Sequence, residues 1–265
     1  MNVPFRVVVT RPEGEPDSLA ERLRELGCVV VSAPSIEIGP PRSYEDLDRL
    51  ARRPDAAAWI LFTSQHAVRH FVQRQKRLRR GAAVTLGGAK AAVVGRATAE
   101  IAQRAGIDVA LTSSGRTGHD LAAEVAARAS PGCTVVLVQA EDGRPEAAES
   151  LAQGGFDVRV VAAYRTRPAQ VPVQVQAEVR AGTVNAIAFA SPSSALSFAI
   201  ALGGLANIPA SVCVGTIGPT TAAACERAGR TPDVVAPAST SAALAQAMFA
   251  ALRSAQRPAG SGPSR

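Results

Sequence analysis

Parts of this chain repeat one another in order, and that repetition limits the folds open to it. Phe62-Thr63-Ser64 closes an apolar run and opens a helical pattern reaching Phe71, and Phe189-Ala190-Ser191 does the same up to Phe198. Gly95-x-x-Thr98-Ala99, followed by Gly106 and Leu121, returns as Gly218-x-x-Thr221-Ala222, followed by Gly229 and Leu244. Ala20-Glu21-x-Leu23 with Gly27 returns as Ala148-Glu149-x-Leu151 with Gly155. A spacing of about 125 residues is far longer than the roughly 20 to 50 of a solenoid unit and implies duplicated domains. A ligand is then expected between two similar halves.

The 265 residues leave room for two domains with a core each. Short runs rich in Val, Ile and Ala alternate with helical patterns, the mark of βαβ units and parallel sheets. Strands are predicted at 6–10, 29–38, 58–63, 90–94, 108–111, 134–138, 157–166, 185–190, 211–217 and 233–236. The first helix is predicted from Pro16 to Leu26, with Leu19, Leu23 and Leu26 on one face and Gly27 as its stop. Gly106 and Gly229 read as similar stops. Val29 to Pro41 and Val158 to Ala169 are longer than a usual strand of about 5 to 6 residues, and each runs into proline. They hold corresponding places in the two repeats, so the chain is expected to cross between domains there, side by side. Beyond Arg253 the small, polar, proline-containing sequence predicts a disordered tail over 254–265.

A net charge of +7 is unevenly spread. Residues 56–99 hold no Asp or Glu but carry Arg69, Arg74, Lys76, Arg77, Arg79, Arg80, Lys90 and Arg96. This stretch is either a solvated helix face running into a basic turn or an attractor of anions. Nucleic acid is disfavoured as a partner, because only 4% of residues are aromatic and no familiar binding motif occurs. No apolar run approaches the roughly 18 residues of a membrane span and the N-terminus has no signal-peptide core, which predicts a cytoplasmic protein. Cys28, Cys133, Cys213 and Cys225 lack zinc-site spacing and read as buried thiols.

Small hydroxyl residues recur where strands give way to helices: Thr63-Ser64, Gly95 to Thr98, Ser191 to Ser194 with Ser193 between them, and Gly218-Pro219-Thr220-Thr221. Each offers free N–H groups, a helix dipole and a hydroxyl, suited to carboxylate or phosphate, although each alone is also an ordinary cap. Arg11 at the end of the first strand is either an anion contact or a loop arginine. Tyr164, in the second long segment, is either a proton donor or a packing residue. His66 and His70 have the spacing of a metal pair but no third ligand accompanies them, and no catalytic triad, Walker A, GxGxxG or HExxH pattern occurs. No metal or cofactor is expected.

Taken together, Val9-Thr10-Arg11-Pro12, Phe62-Thr63-Ser64, Val94-Gly95-x-x-Thr98-Ala99, Val161-Ala162-Ala163-Tyr164-Arg165-Thr166, Phe189-Ala190-Ser191-Pro192-Ser193 and Ile217-Gly218-Pro219-Thr220-Thr221-Ala222 resemble the uroporphyrinogen-III synthase family. The resemblance runs from residue 6 to 252. It implies two similar three-layer α/β/α domains with parallel sheets (flavodoxin- or Rossmann-like, HemD-like), swapped and joined by a two-stranded linker. One would hold residues 1–37 and 168–253, the other 40–165; the repeat alone suggests a cut near 131. It further implies a monomer that cyclises hydroxymethylbilane, received from hydroxymethylbilane synthase, to uroporphyrinogen III. Tyr164 would assist loss of the substrate hydroxyl, and Arg11, Thr63, Ser64, Thr98, Ser191, Ser193, Gly218, Thr220 and Thr221 would face the ligand. The chain departs from the family pattern at His66, where Asn is frequent, at Gln139-Ala140, and at Gly115 to Asp120, which lacks the usual hydroxyl- or acid-rich helix start. The alternative is a non-catalytic anion or tetrapyrrole sensor on the same fold.

Overall fold

A computed structural model describes residues 4–11, 19–115 and 117–256. In chain order the elements are β1 (Arg6–Val9), α1 (Leu19–Glu25), β2 (Val29–Ser32), β3 (Ile36–Gly39), α2 (Glu45–Arg52), β4 (Trp59–Phe62), α3 (Gln65–Leu78), β5 (Lys90–Val94), α4 (Gly95–Arg104) and β6 (Val109–Ser113). There follow α5 (Gly118–Ala126), β7 (Thr134–Ala140), α6 (Glu146–Gln153), β8 (Asp157–Pro168), α7 (Val173–Arg180), β9 (Ala186–Phe189), α8 (Pro192–Leu202), β10 (Cys213–Thr216), α9 (Pro219–Arg227), β11 (Val234–Val235) and α10 (Ser241–Ala255). The predicted start of the first helix at 16–18 lies outside the described residues. So does 257–265 of the expected tail, while Ser254 and Ala255 belong to α10.

The chain forms two compact units, Met1–Glu37 with Arg167–Arg265, and Ile38–Thr166. In the first, the strand order among the described residues is β11-β10-β9-β1-β2, all pairs parallel. Alternate strand residues face opposite ways. Val8, Ile187, Phe189 and Val214 pack with Val175, Val179, Phe198 and Leu202 of α7 and α8. Val7, Val9, Ala186 and Ala188 pack with Leu19 and Leu23 of α1 and Leu244 and Met248 of α10. Helices on both faces make three layers.

In the second unit the order is β3-β8-β7-β4-β5-β6, with the β8-β7-β4-β5-β6 pairings parallel. Ile60, Phe62, Val93, Val136 and Val138 meet Leu47 of α2, Phe71 of α3 and Ala102 of α4. Trp59, Leu61, Val135 and Leu137 meet Leu121 and Val125 of α5 and Leu151 of α6. Again the sheet is covered on both faces.

The repeat and the units are out of phase. β1-α1-β2 corresponds in sequence to β7-α6-β8, and β4, β5 and β6 correspond to β9, β10 and β11. The orders β11-β10-β9-β1-β2 and β6-β5-β4-β7-β8 are then the same order, with each unit taking its first two strands from one repeat and its last three from the other. The matching aromatic pairs occupy matching places: Phe62 and Phe71 have ring centroids 5.5 Å apart, Phe189 and Phe198 5.7 Å.

The single strand predicted over 29–38 is corrected to two. β2 pairs with β1, and β3 belongs to the other sheet beside β8. Between them Pro34 has no N–H for a ladder, while Ala33 and Ser35 donate to the carbonyls of Val9 and Thr10 at 2.9 and 3.1 Å. The second long segment is one strand of 12 residues, β8.

Candidate functional site

In a parallel sheet the strands' C-terminal ends lie along one edge, and the helices that follow begin there with unsatisfied N–H groups. On this edge of the 38–166 unit, Ser64 is the N-cap of α3: its backbone is extended and its Oγ accepts from the Ala67 N–H at 3.1 Å. Thr63 Oγ1 donates to the Val138 carbonyl at 3.4 Å. α4 starts at Gly95 without a side-chain cap, and Gly95 has φ 71°, a region that strains other residues. Thr98 is one turn into α4 and buried, so the open donors there belong to the backbone before it.

Tyr164 reaches this edge through a β-bulge. Val161 and Ala163 face the α2–α4 side, and strict alternation would send Tyr164 to the opposite face. The register shifts instead: Gln139 pairs with Ala162, but Ala140 pairs with Tyr164, so one extra residue is accommodated. Tyr164 therefore joins Val161 and Ala163 in the same core cluster, 8% exposed. Bulges re-aim side chains in this way. Its Oη stands 3.0 Å from Ser64 Oγ.

The phenol ring also meets α3. His66 and His70, one turn apart, present their rings to it at centroid distances of 5.4 and 5.6 Å, the first tilted by 51° and the second stacked at 25°. The i, i+4 spacing of the two histidines thus serves a shared aromatic contact. Burial lowers the His70 pKa below its ordinary value, because the charged ring would be desolvated. Among the described residues no group of three or more His, Cys, Asp and Glu is placed to hold a metal ion.

On the corresponding edge of the other unit, Ser191 caps α8 in a reciprocal capping box with Ser194: Ser191 Oγ accepts from the Ser194 N–H at 3.1 Å. Ser194 is buried and Ser193 exposed. α9 begins at Gly218 with Pro219 first, Thr220 exposed and Thr221 buried. Gly218 is extended, and its lack of a side chain is explained by space, since a Cβ would lie 2.9 Å from Ser239 Oγ. Thr10 is fully buried and donates to the Ala188 carbonyl at 3.0 Å, which leaves the half-buried Arg11 at the end of β1.

Two helix starts escaped the sequence reading. Thr117 and Asp120 form a full capping box on α5, so the 115–120 segment does have a hydroxyl and acid start. The T-x-x-D spacing was the available signal. Thr240 caps α10 by accepting from the Ala243 N–H. The basic stretch is partly committed to structure: Arg74 pairs with Asp48 of α2 and lies 3.9 Å over the Tyr44 ring, and Arg96 pairs with Glu100. Arg74 in turn holds the Asp48 carboxyl below its usual range.

The family model described as "Uroporphyrinogen-III synthase HemD" matches residues 17–246. The chain belongs to the uroporphyrinogen-III synthase family. Among its relatives, the uroporphyrinogen-III synthase of Synechococcus elongatus is 26% identical over 234 residues, covering 83% of this chain and 85% of that one. That of Chlorobaculum parvum is 24% identical over 233 residues, covering 86% and 92%. The fold resembles the crystal structure of a mutant uroporphyrinogen III synthase from Thermus thermophilus, with TM-score 0.67 and 19% identity over 94% of this chain and 99% of that one. It also resembles the enzyme from Helicobacter pylori, with TM-score 0.62 and 15% identity over 96% and 100%. Among the described residues, no helix is long and apolar enough to cross a membrane.

Proposed function

We propose that this member of the uroporphyrinogen-III synthase family cyclises hydroxymethylbilane to uroporphyrinogen III, as a hydro-lyase. Loss of the terminal hydroxyl as water leaves an azafulvene electrophile. The substituted α-carbon of ring D attacks it to give a spiro intermediate, which fragments and recloses with that ring inverted. Unassisted, the bilane closes without inversion, so the protein's task is to hold the two ends in a bent geometry and to assist the departing hydroxyl.

The observation that carries the reading is the phenol of Tyr164, held at a strand end with Ser64 Oγ 3.0 Å from its hydroxyl. Ser64 Oγ accepts from the Ala67 N–H, which polarises its own O–H. If Ser64 donates to the phenol oxygen, that hydrogen bond makes the phenol a better proton donor toward the departing group. Carboxylate arms of the substrate suit the helix starts at Ser64, Gly95, Ser191 and Gly218 and the guanidinium of Arg11, and Ser193, Thr220 and the buried Thr98 and Thr221 shape those starts. The protein acts in this reading as a cytoplasmic monomer supplied by hydroxymethylbilane synthase.

The test is to supply freshly prepared hydroxymethylbilane and separate the uroporphyrinogen isomers. Type III product is expected. Folded protein that leaves only the spontaneous type I isomer overturns the synthase reading and favours a tetrapyrrole or anion sensor.

A further inference from the structure

Three contacts converge on one side chain of the 38–166 unit. The bulge between Gln139 and Ala140 turns Tyr164 toward α3. Ser64 meets its hydroxyl, and the rings of His66 and His70 meet its ring. A hydroxyl contact alone fixes where the oxygen sits and leaves the ring free to pivot about it. Two aromatic contacts at different tilts, 51° and 25°, restrict that pivot. Their centroid separations lie in the range where ring pairs attract one another, about 4.5 to 7 Å.

We propose that His70, together with His66, is a positioning residue: the two imidazoles clamp the Tyr164 ring so that its hydroxyl is presented in one orientation. The inference rests on the synthase reading for its link to turnover. Its physical core, the clamp, stands apart from that reading. Neither histidine touches the reacting atoms in this account. The flat faces do the holding, so an aromatic replacement at 70 preserves the function and a small one removes it. Burial keeps His70 neutral more readily, which maintains the stacked ring as an uncharged surface.

The chain has only two tyrosines and three histidines, which makes the clamp directly observable. In protein carrying ring-labelled tyrosine, the Tyr44→Phe substitution leaves Tyr164 as the single tyrosine signal. Its ring resonances are expected to show a ring-current displacement in the parent, to lose it in His70→Ala, and to keep most of it in His70→Phe. Alanine is a strong helix former, so His70→Ala is expected to fold; His66→Ala, a half-buried site on the same face, serves as the second variant. In isomer-resolved kinetics, His70→Ala should lower kcat for type III product about 10- to 10²-fold with KM nearly unchanged, the scale of a misplaced reacting group. His70→Phe should recover most of that loss, and His119→Ala, at an exposed position, should have no effect.

A Tyr164 resonance indifferent to both histidine substitutions overturns the clamp, whatever the activity. A lost ring-current displacement with unchanged kcat overturns the positioning role. Parent protein that makes no type III product overturns the synthase reading alone, and the resonance measurement then decides the clamp by itself.

Discussion

Tyr164 combines a buried ring with a hydroxyl held 3.0 Å from Ser64, so its replacement by Phe should remove the proposed proton donor and leave the packing. We expect Tyr164→Phe to lose about 10- to 10³-fold in type III formation while still giving measurable type III product, the scale of one general acid partly replaced by water. Isomer-resolved kinetics with circular dichroism as the folding control checks this; complete loss would mean that proton donation outweighs positioning. Ser191→Asp should be harsher. Aspartate caps a helix as well as serine does, so α8 should persist while a negative charge now stands where a carboxylate arm would bind, and the expected sign is a raised KM. A third expectation follows from His70. Its folded pKa lies below the ordinary 6.5, so the unfolded chain takes up a proton first as pH falls, and stability declines from about 6.5 down to the lowered folded value. Thermal midpoints measured across that range should fall on acidification, less steeply in His70→Phe; equal slopes would count against it. At this scale the sequence revealed the residues that start α3, α4, α8 and α9. It could not show that His70 lies on Tyr164, because that contact joins elements far apart in the chain and depends on one bulged residue.

Glycine helix stops and one whole strand were legible from local chemistry, whereas the starts of α5 and α10 were missed although their caps are local too. Gly27, Gly106 and Gly229, read as helix stops, all adopt positive φ, and β5 spans the predicted 90–94. The run Val160-Val161-Ala162-Ala163-Tyr164 gave no sign of its bulge, because every residue in it is apolar or aromatic and alternation leaves no trace there. The predicted strand over 29–38 failed for a different reason: β-propensity continues through Pro34, but the partner strand changes, from β1 to β8. Partner exchange is a tertiary fact. One element offers a direct energetic check. Thr117 and Asp120 satisfy each other's backbone donors at the start of α5, and Thr117→Ala should cost about 1 kcal/mol. Chemical denaturation reads this as a shifted midpoint with an unchanged slope. A change well below that value would indicate that water replaces the cap.

On the scale of the whole molecule, each unit has cores on both faces of its own sheet, and a defect should report first where it is made. Phe71 and Phe198 are both fully buried in equivalent ring pairs, so replacing either with Ala should cost about 3 to 5 kcal/mol. Hydrogen exchange should rise first at β4, β5 and β7 for Phe71→Ala and at β1, β9 and β10 for Phe198→Ala. Uniform acceleration in both variants would refute separate cores. The exchange of strands between repeats also sets a timetable for the growing polypeptide. β1 lies inside its sheet, between β2 and β9, and the Arg6 N–H finds its acceptor on Asn185, a separation of 179 residues. The unit spanning 38–166 can complete its four parallel pairings, β8-β7, β7-β4, β4-β5 and β5-β6, as soon as β8 has left the ribosome. β1 precedes all of these strands in the chain, yet it must wait with one edge unpaired until β9 is translated.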